Sequence, residues 1–186
     1  MAHDVAFDRI KDSLKRVAGA LIEADVPFVL GGGLAVWARG GPATGHDLDL
    51  MLKPEDADRA LEVLDEAGLR VERPPESWLY KAWDGDVLVD LIFQPVGEPV
   101  DEGLFKRAEP REVNAVPMLV MSLEDVLVTK LKALDEHALD YERPLEFARA
   151  VRERIDWDDV RARTDGSPFA KAFFVLVEEL GIIPTE

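Results

Sequence analysis

Apolar residues open the chain at three- and four-residue steps. Phe7, Ile10, Leu14, Val17, Leu21 and Ile22 form one stripe, which predicts an amphipathic helix over Val5–Ala24. The period then changes. Val26–Leu30 is a short apolar run that reads as a strand, followed by Gly31-Gly32-Gly33. A second helix starts within these glycines and ends near Arg39, where Gly40-Gly41-Pro42 stops it. His46–Leu52 reads as a strand carrying Asp47 and Asp49.

Pro54-Glu55-Asp56 marks a helix start, because acidic residues favour the positive end of the helix dipole. Ala57, Ala60, Leu61 and Leu64 give that helix its apolar face, and Gly68 ends it. Strands are predicted at Leu69–Arg73, Trp78–Trp83 and Val87–Phe93, with Asp84-Gly85 as a tight hairpin turn between the last two. A further strand pair is predicted at Lys106–Glu112 and Val116–Met121. The last third is helical. Ser122 and Asp125 resemble a capping box opening a helix to about Leu134. Two more helices are expected over Arg143–Arg154 and Phe169–Leu180. The pattern predicts an α/β (α+β) protein with a mixed β-sheet core flanked by helices and a C-terminal helical cap. The organisation expected is a single domain over 1–186, with the α/β core at 1–121 and the helical part at 122–186.

The length suffices to bury a real core. No apolar stretch approaches the length of a membrane span, and Met1–Asp8 lacks the layout of a signal peptide, so a cytoplasmic protein without membrane contact is expected. The absence of Cys removes disulfides and thiolate metal sites. A net charge of −16 opposes broad adhesion to nucleic acid, which needs a basic surface to release counterions.

Within Asp47-Leu48-Asp49-Leu50, strand alternation points both carboxylates one way and both leucines the other, into a core. Two like charges so close repel, and a divalent cation with a preference for hard oxygen ligands, such as Mg²⁺, would offset that cost. A glycine turn that opens a helix offers backbone N–H groups to phosphate oxygens. Asp90 is the third piece. It interrupts Val87-Leu-Val-Asp-Leu-Ile-Phe93, a strand that reads as buried on both faces, where a lone carboxylate is costly. If the two strands are neighbours, three carboxylates converge and suit a two-metal centre.

These motifs resemble the nucleotidyltransferase superfamily. Its signature is a Gly-Gly or Gly-Ser at a helix start, Asp-apolar-Asp after a short interval, and a later strand carboxylate. Here Gly32-Gly33 is followed by residues 34 to 46, then Asp47-Leu48-Asp49, then Asp90. The chain is most similar to small bacterial members, among them toxin–antitoxin and aminoglycoside nucleotidyltransferases. The resemblance implies transfer of a nucleoside monophosphate from a nucleoside triphosphate to a hydroxyl, with release of pyrophosphate. It implies that Asp47 and Asp49 hold two Mg²⁺ ions, with Mn²⁺ as the alternative. Asp90 would bind the ion nearer the acceptor and help accept its proton, and Gly32 and Gly33 would cradle the β- and γ-phosphates. The acceptor stays open among a small molecule, a protein and a tRNA end. A toxin-like member would add an antitoxin partner.

On the helix after Ser122, Leu123, Leu127, Leu131 and Leu134 form the buried stripe. Lys130 lies about 60° from Leu127 at the stripe's edge, whereas Lys132 points away. Lys130 is therefore the candidate for a further nucleotide contact, and related toxins carry a lysine on the corresponding helix. They also carry an acidic residue in the next helix, where this chain reads Arg143-Pro-Leu-Glu-Phe147. Glu146 or Asp140 would have to substitute. That departure supports a second reading, a nucleotide-binding or interaction protein without turnover.

Taken alone, Gly31–Gly33 reads equally well as a flexible turn, and Asp47 and Asp49 as a solvated strand edge. A dinucleotide fingerprint fails because Val36 stands where a third small residue is required. The residues around Asp47 match an aspartyl-nucleophile phosphatase poorly. Arg39, Tyr80 and Lys81 read as surface or packing residues that could border the cleft. Trp78 and Trp83 read as packing residues, although a Trp at a cleft edge can stack a base. His3, His46 and His137 are scattered and carry no site.

Overall fold

The computed structural model describes residues 2–43 and 47–184. Helix α1 (Ala2–Glu23) leads to strand β1 (Val29–Leu30), helix α2 (Gly32–Ala38), strand β2 (Leu48–Met51) and helix α3 (Pro54–Glu66). Strands β3 (Arg70–Glu72), β4 (Leu79–Asp84) and β5 (Val87–Ile92) follow. Next come helix α4 (Glu102–Arg107), strands β6 (Glu109–Val113) and β7 (Val116–Val120), and helices α5 (Leu123–Lys132), α6 (Glu142–Val151), α7 (Trp157–Thr164) and α8 (Pro168–Glu179).

The strands form one seven-stranded mixed sheet in the order β3-β4-β5-β2-β1-β7-β6. β2 runs parallel to β5, and β1 parallel to β7; the other neighbours are antiparallel. Leu48, Leu50, Ala82, Val89 and Leu91 share one face, all fully buried, and this face is covered by α1 and α3. The opposite face holds Asp49, Asp90 and Lys81, and is partly roofed by α5 with α6, α7 and α8 behind it.

Several sequence expectations are corrected in detail. β5 is fully buried on one face, through Val87, Val89 and Leu91, and only partly on the other, where Leu88 and Asp90 are half-buried and Ile92 is buried. The hairpin loop is Gly85-Asp86, because Asp84 still pairs with Val87. Gly85 takes the left-handed φ of 63° that a two-residue loop needs at its first position. Lys106 and Arg107 end α4 and do not begin a strand. Asp101 caps that helix by accepting from Leu104 N at 3.0 Å, a start signal masked by the strongly polar run around it.

Ser122 caps α5 by accepting from Asp125 N at 3.0 Å, but Asp125 does not complete the box. Its carboxylate, with only 2% of its surface exposed, is held instead by Arg107 at 3.0–3.1 Å and by Arg163. The triad staples α5 to α4 and α7. Helix α7 was not expected from periodicity, since only Trp157 and Val160 are large and apolar along it. Its start is set by Asp156, which accepts from Asp159 N at 3.1 Å. The expectation for His46 lies outside the described residues.

Candidate active site

The decisive register is between β2 and β5. Asp49 stands directly opposite Asp90, so both carboxylates rise from the same face of the sheet. The row continues outward: Asp90 is opposite Lys81, and Lys81 is opposite Glu72. A line of charge thus crosses four strands in the order Glu72, Lys81, Asp90, Asp49. Lys81 makes no ion pair within 4 Å among the described residues. The sequence names it among residues that could border the cleft, and the hairpin register puts it directly opposite Asp90. Tyr80, one residue earlier, points to the opposite face and packs on Phe93 at 4.9 Å between centroids. Arg39 is 8% exposed and donates to the carbonyls of Met121 and Val120 and to Glu109, so it is structural.

Asp47 lies in the lead to β2 and is half-buried. Its charge acts on both Asp49 and Asp90. Burial raises the Asp49 pKa, Lys130 works against the rise, and Asp47 adds to it. Asp90 is pushed up to about 6, first by burial, then by the charges of Asp49 and Asp47, with Lys81 opposing. One Asp90 oxygen, Oδ1, is buried with no hydrogen-bond partner. An orphaned anionic oxygen beside another carboxylate is a costly arrangement, and a hard divalent cation would fit it. Among the described residues no group of three or more Asp, Glu, His or Cys side chains is already arranged as a metal cage. Of the three carboxylates expected at one spot, the sheet register sets Asp49 directly opposite Asp90. Asp47 stands within electrostatic reach of both.

The glycines have a steric reason. Gly31 sits across from Asp49 and donates its N–H to the Asp49 carbonyl at 2.8 Å. Gly32 follows with φ at 54°, and a β-carbon there would overlap the Asp49 carboxylate. Only a glycine lets α2 begin against that side chain. Gly33 is half-buried one residue further along α2.

Lys130 reaches the same place from α5. It is half-buried, lies 5.8 Å from the Phe147 ring centroid, and lines a cleft of about 80 Å³ with Gly32, Asp49, Met51, Met121 and Thr129. Lys132 points away, paired with Glu98. Glu146 pairs with Arg143 at 2.6 Å, and Asp140 accepts from Glu142 N at 2.9 Å. Neither is among the charges that act on Asp49 or Asp90. Trp83 is stacked under Arg70, 3.6 Å from the ring centroid to the guanidinium. Trp78 is 42% exposed beside the cleft. No described helix is long and apolar enough to cross a membrane.

The same fold is present in solved structures at low sequence identity. The crystal structure of ANT(2")-Ia in complex with adenylyl-2"-tobramycin is 18% identical, with a TM-score of 0.63 over 89% of this chain and 97% of that one. The solution structure of the antibiotic-resistance factor ANT(2'')-Ia is 16% identical, with a TM-score of 0.64 over 92% and 96%. The lincomycin-bound lincosamide antibiotic adenylyltransferase LnuA is 12% identical, with a TM-score of 0.50 over 77% and 91%. Among curated proteins none matches the chain by sequence. The family described as uncharacterised nucleotidyltransferase matches residues 7–178, almost the whole chain, and this protein belongs to that family of enzymes.

Proposed function

We propose that this enzyme transfers a nucleoside monophosphate from a nucleoside triphosphate to a hydroxyl of a small acceptor, using Asp47, Asp49 and Asp90. The observation that carries the reading is the direct pairing of Asp49 with Asp90, with one Asp90 oxygen buried and unpartnered. The carboxylates would hold a divalent cation, Mg²⁺ or Mn²⁺, which would supply Lewis-acid charge at the α-phosphate and the leaving pyrophosphate. The backbone N–H groups at Gly32 and Gly33 receive the outer phosphates, and Lys130 contributes a positive charge beside Asp49. The acceptor oxygen attacks the α-phosphorus while the bond from that phosphorus to the α,β-bridging oxygen breaks. Pyrophosphate leaves, and the acceptor proton passes to Asp90, whose proton affinity is raised by burial and by the charges of Asp49 and Asp47.

The net charge of −16 favours a small, neutral or cationic acceptor over a large RNA. The ligands named for the structural neighbours, adenylyl-2"-tobramycin and lincomycin, make hydroxylated antibiotics the first acceptors to try. The test is incubation with α-labelled nucleoside triphosphates, Mg²⁺ and panels of hydroxylated small molecules, proteins and tRNA. Label transfer that depends on the metal and disappears in Asp49→Asn supports the reading. Nucleotide binding with no transfer to any acceptor in any panel overturns it.

A further inference from the structure

The small cleft at Asp49 and Lys130 does not end there. Ile92, Thr129 and Lys130 also line a second cavity of about 630 Å³, together with Trp78, Val96, Leu134, Lys132 and Asp135. That volume lies within the range of about 300–1,000 Å³ typical of small-molecule sites. Trp78 and Val96 are among the few large apolar side chains this protein leaves exposed, at 42% and 38%. Both are held in place. The Trp78 carbonyl accepts from Phe93 N and Gln94 N, each at 3.1 Å, which fixes the residue at the end of the β4–β5 ladder. Val96 has φ 49° and ψ 33°, a left-handed conformation that is rare for a β-branched residue. The turn is pinned by Gln94 Nε2 donating to the Gly97 carbonyl at 3.2 Å and by Val100 N donating to Phe93 O at 2.9 Å.

The cavity therefore combines charged and apolar lining, with Lys130, Lys132 and Asp135 beside Trp78, Val96 and Leu134. Lys130, which makes no ion pair within 4 Å among the described residues, stands at the junction with Asp49. An exposed indole and a strained valine line the same cavity. A nucleoside triphosphate matches that mixture, with a charged tail for the lysines and a flat aromatic head for the indole. We propose that the Trp78–Val96 part of the cavity binds the nucleobase, stacked on the Trp78 indole, with the triphosphate leading back past Lys130 to Asp49. This rests on the nucleotidyl-transfer reading and adds to it the place of the base. Asp90 is acted on by Lys81 and not by Lys130, so the acceptor is left the Lys81 side of the carboxylates.

Binding titrations with Mg²⁺ test the assignment, using each of the four ribonucleoside triphosphates and inorganic tripolyphosphate on the parent, Trp78→Ala and Trp78→Phe. Trp78→Ala weakens the nucleotides about tenfold, the worth of one base–aromatic stack, and leaves tripolyphosphate unchanged. Trp78→Phe keeps most of the nucleotide affinity. Equal affinity of Trp78→Ala and the parent for nucleotides overturns the proposal, as does equal weakening of nucleotide and tripolyphosphate. A loss confined to the acceptor's KM gives the cavity to the acceptor and likewise overturns it. Photolabelling of the parent with 8-azido-ATP needs no variant: label at Trp78–Leu79 or Pro95–Gly97 is expected, and label only elsewhere contradicts the assignment. If the parent binds neither nucleotide nor tripolyphosphate, the nucleotidyl-transfer reading fails first and the base site with it.

Discussion

Asp49 and Asp90 face each other across two adjacent parallel strands, one strand spacing apart, on the open side of the sheet. Parallel neighbours in perfect register keep directly opposed side chains on one face, so the repulsion between these two groups is built into the backbone. Lys81 on one flank and Lys130 on the other are the cations that act on the pair.

Replacing either carboxylate should stop the chemistry without unfolding the protein. Asp49→Asn and Asp90→Asn are each expected to lower kcat by at least about 10²–10³-fold, the loss typical when transition-state charge stabilisation is removed. Circular dichroism of the two variants should match the parent, and labelled-nucleotide transfer reads the loss.

Asp90 also sets a pH dependence of stability. Its carboxyl is pushed up to about 6, above the value of an unfolded chain, so the folded protein holds that proton more tightly. The contribution is complete below about pH 4 and is lost as pH rises through about 6. Metal-free Asp90→Asn should therefore exceed the parent in stability above pH 6 by about 1–2 kcal/mol, the shift being discounted for half-exposure. Urea unfolding in EDTA across pH 4–8 should show the gap closing near pH 4. Added Mg²⁺ should stabilise the parent more than the variant.

Gly32→Ala should separate stability from activity. The left-handed backbone costs a non-glycine residue about 1–2 kcal/mol, and the new methyl group displaces the Asp49 carboxylate. Thermal melting should fall modestly, while transfer activity falls as far as in Asp49→Asn.

Lys130→Ala is expected to weaken nucleoside triphosphate binding about 10–100-fold, the worth of one charge-assisted contact. Lys171→Ala, on α8 and paired with Asp165, should leave it unchanged. Isothermal titration with a non-hydrolysable triphosphate distinguishes the two.

The buried triad makes a contrasting prediction. Asp125→Ala leaves Arg107 and Arg163 without their shared carboxylate and should cost about 2–4 kcal/mol, less than a fully enclosed pair because both arginines reach solvent. Denaturant titration of this variant measures a loss of fold stability, and any surviving folded protein should still bind nucleotide.

Much of this architecture is legible in local pattern. The amphipathic stripe of α1, the Pro-Glu-Asp start of α3 and the Ser122 cap each state their element within a few residues. Where local signals are thin, reading fails. Helix α7 has too few apolar positions to show a period, and α4 hides in a polar run whose strongest mark is the single cap at Asp101. The burial of β5 is overread because its composition is apolar apart from Asp90, whereas Leu88 and Asp90 on one face stay half-buried.

Sequence by itself determined that Leu48 and Leu50 turn into the core and Asp49 away from it, because alternation in a strand is a property of one chain segment. It also determined that Lys130 sits at the edge of a buried helical stripe, for the same local reason. What only the tertiary structure decided is which distant residues share a row. Opposing Asp90 to Asp49, and Lys81 to Asp90, depends on strand order and register. Those are fixed by burial of the leucine-rich face under α1 and α3, summed over the whole sheet. The placing of Trp78 beside Lys130 is of the same kind, since it follows from where the β4–β5 hairpin ends relative to a helix more than 40 residues away in sequence.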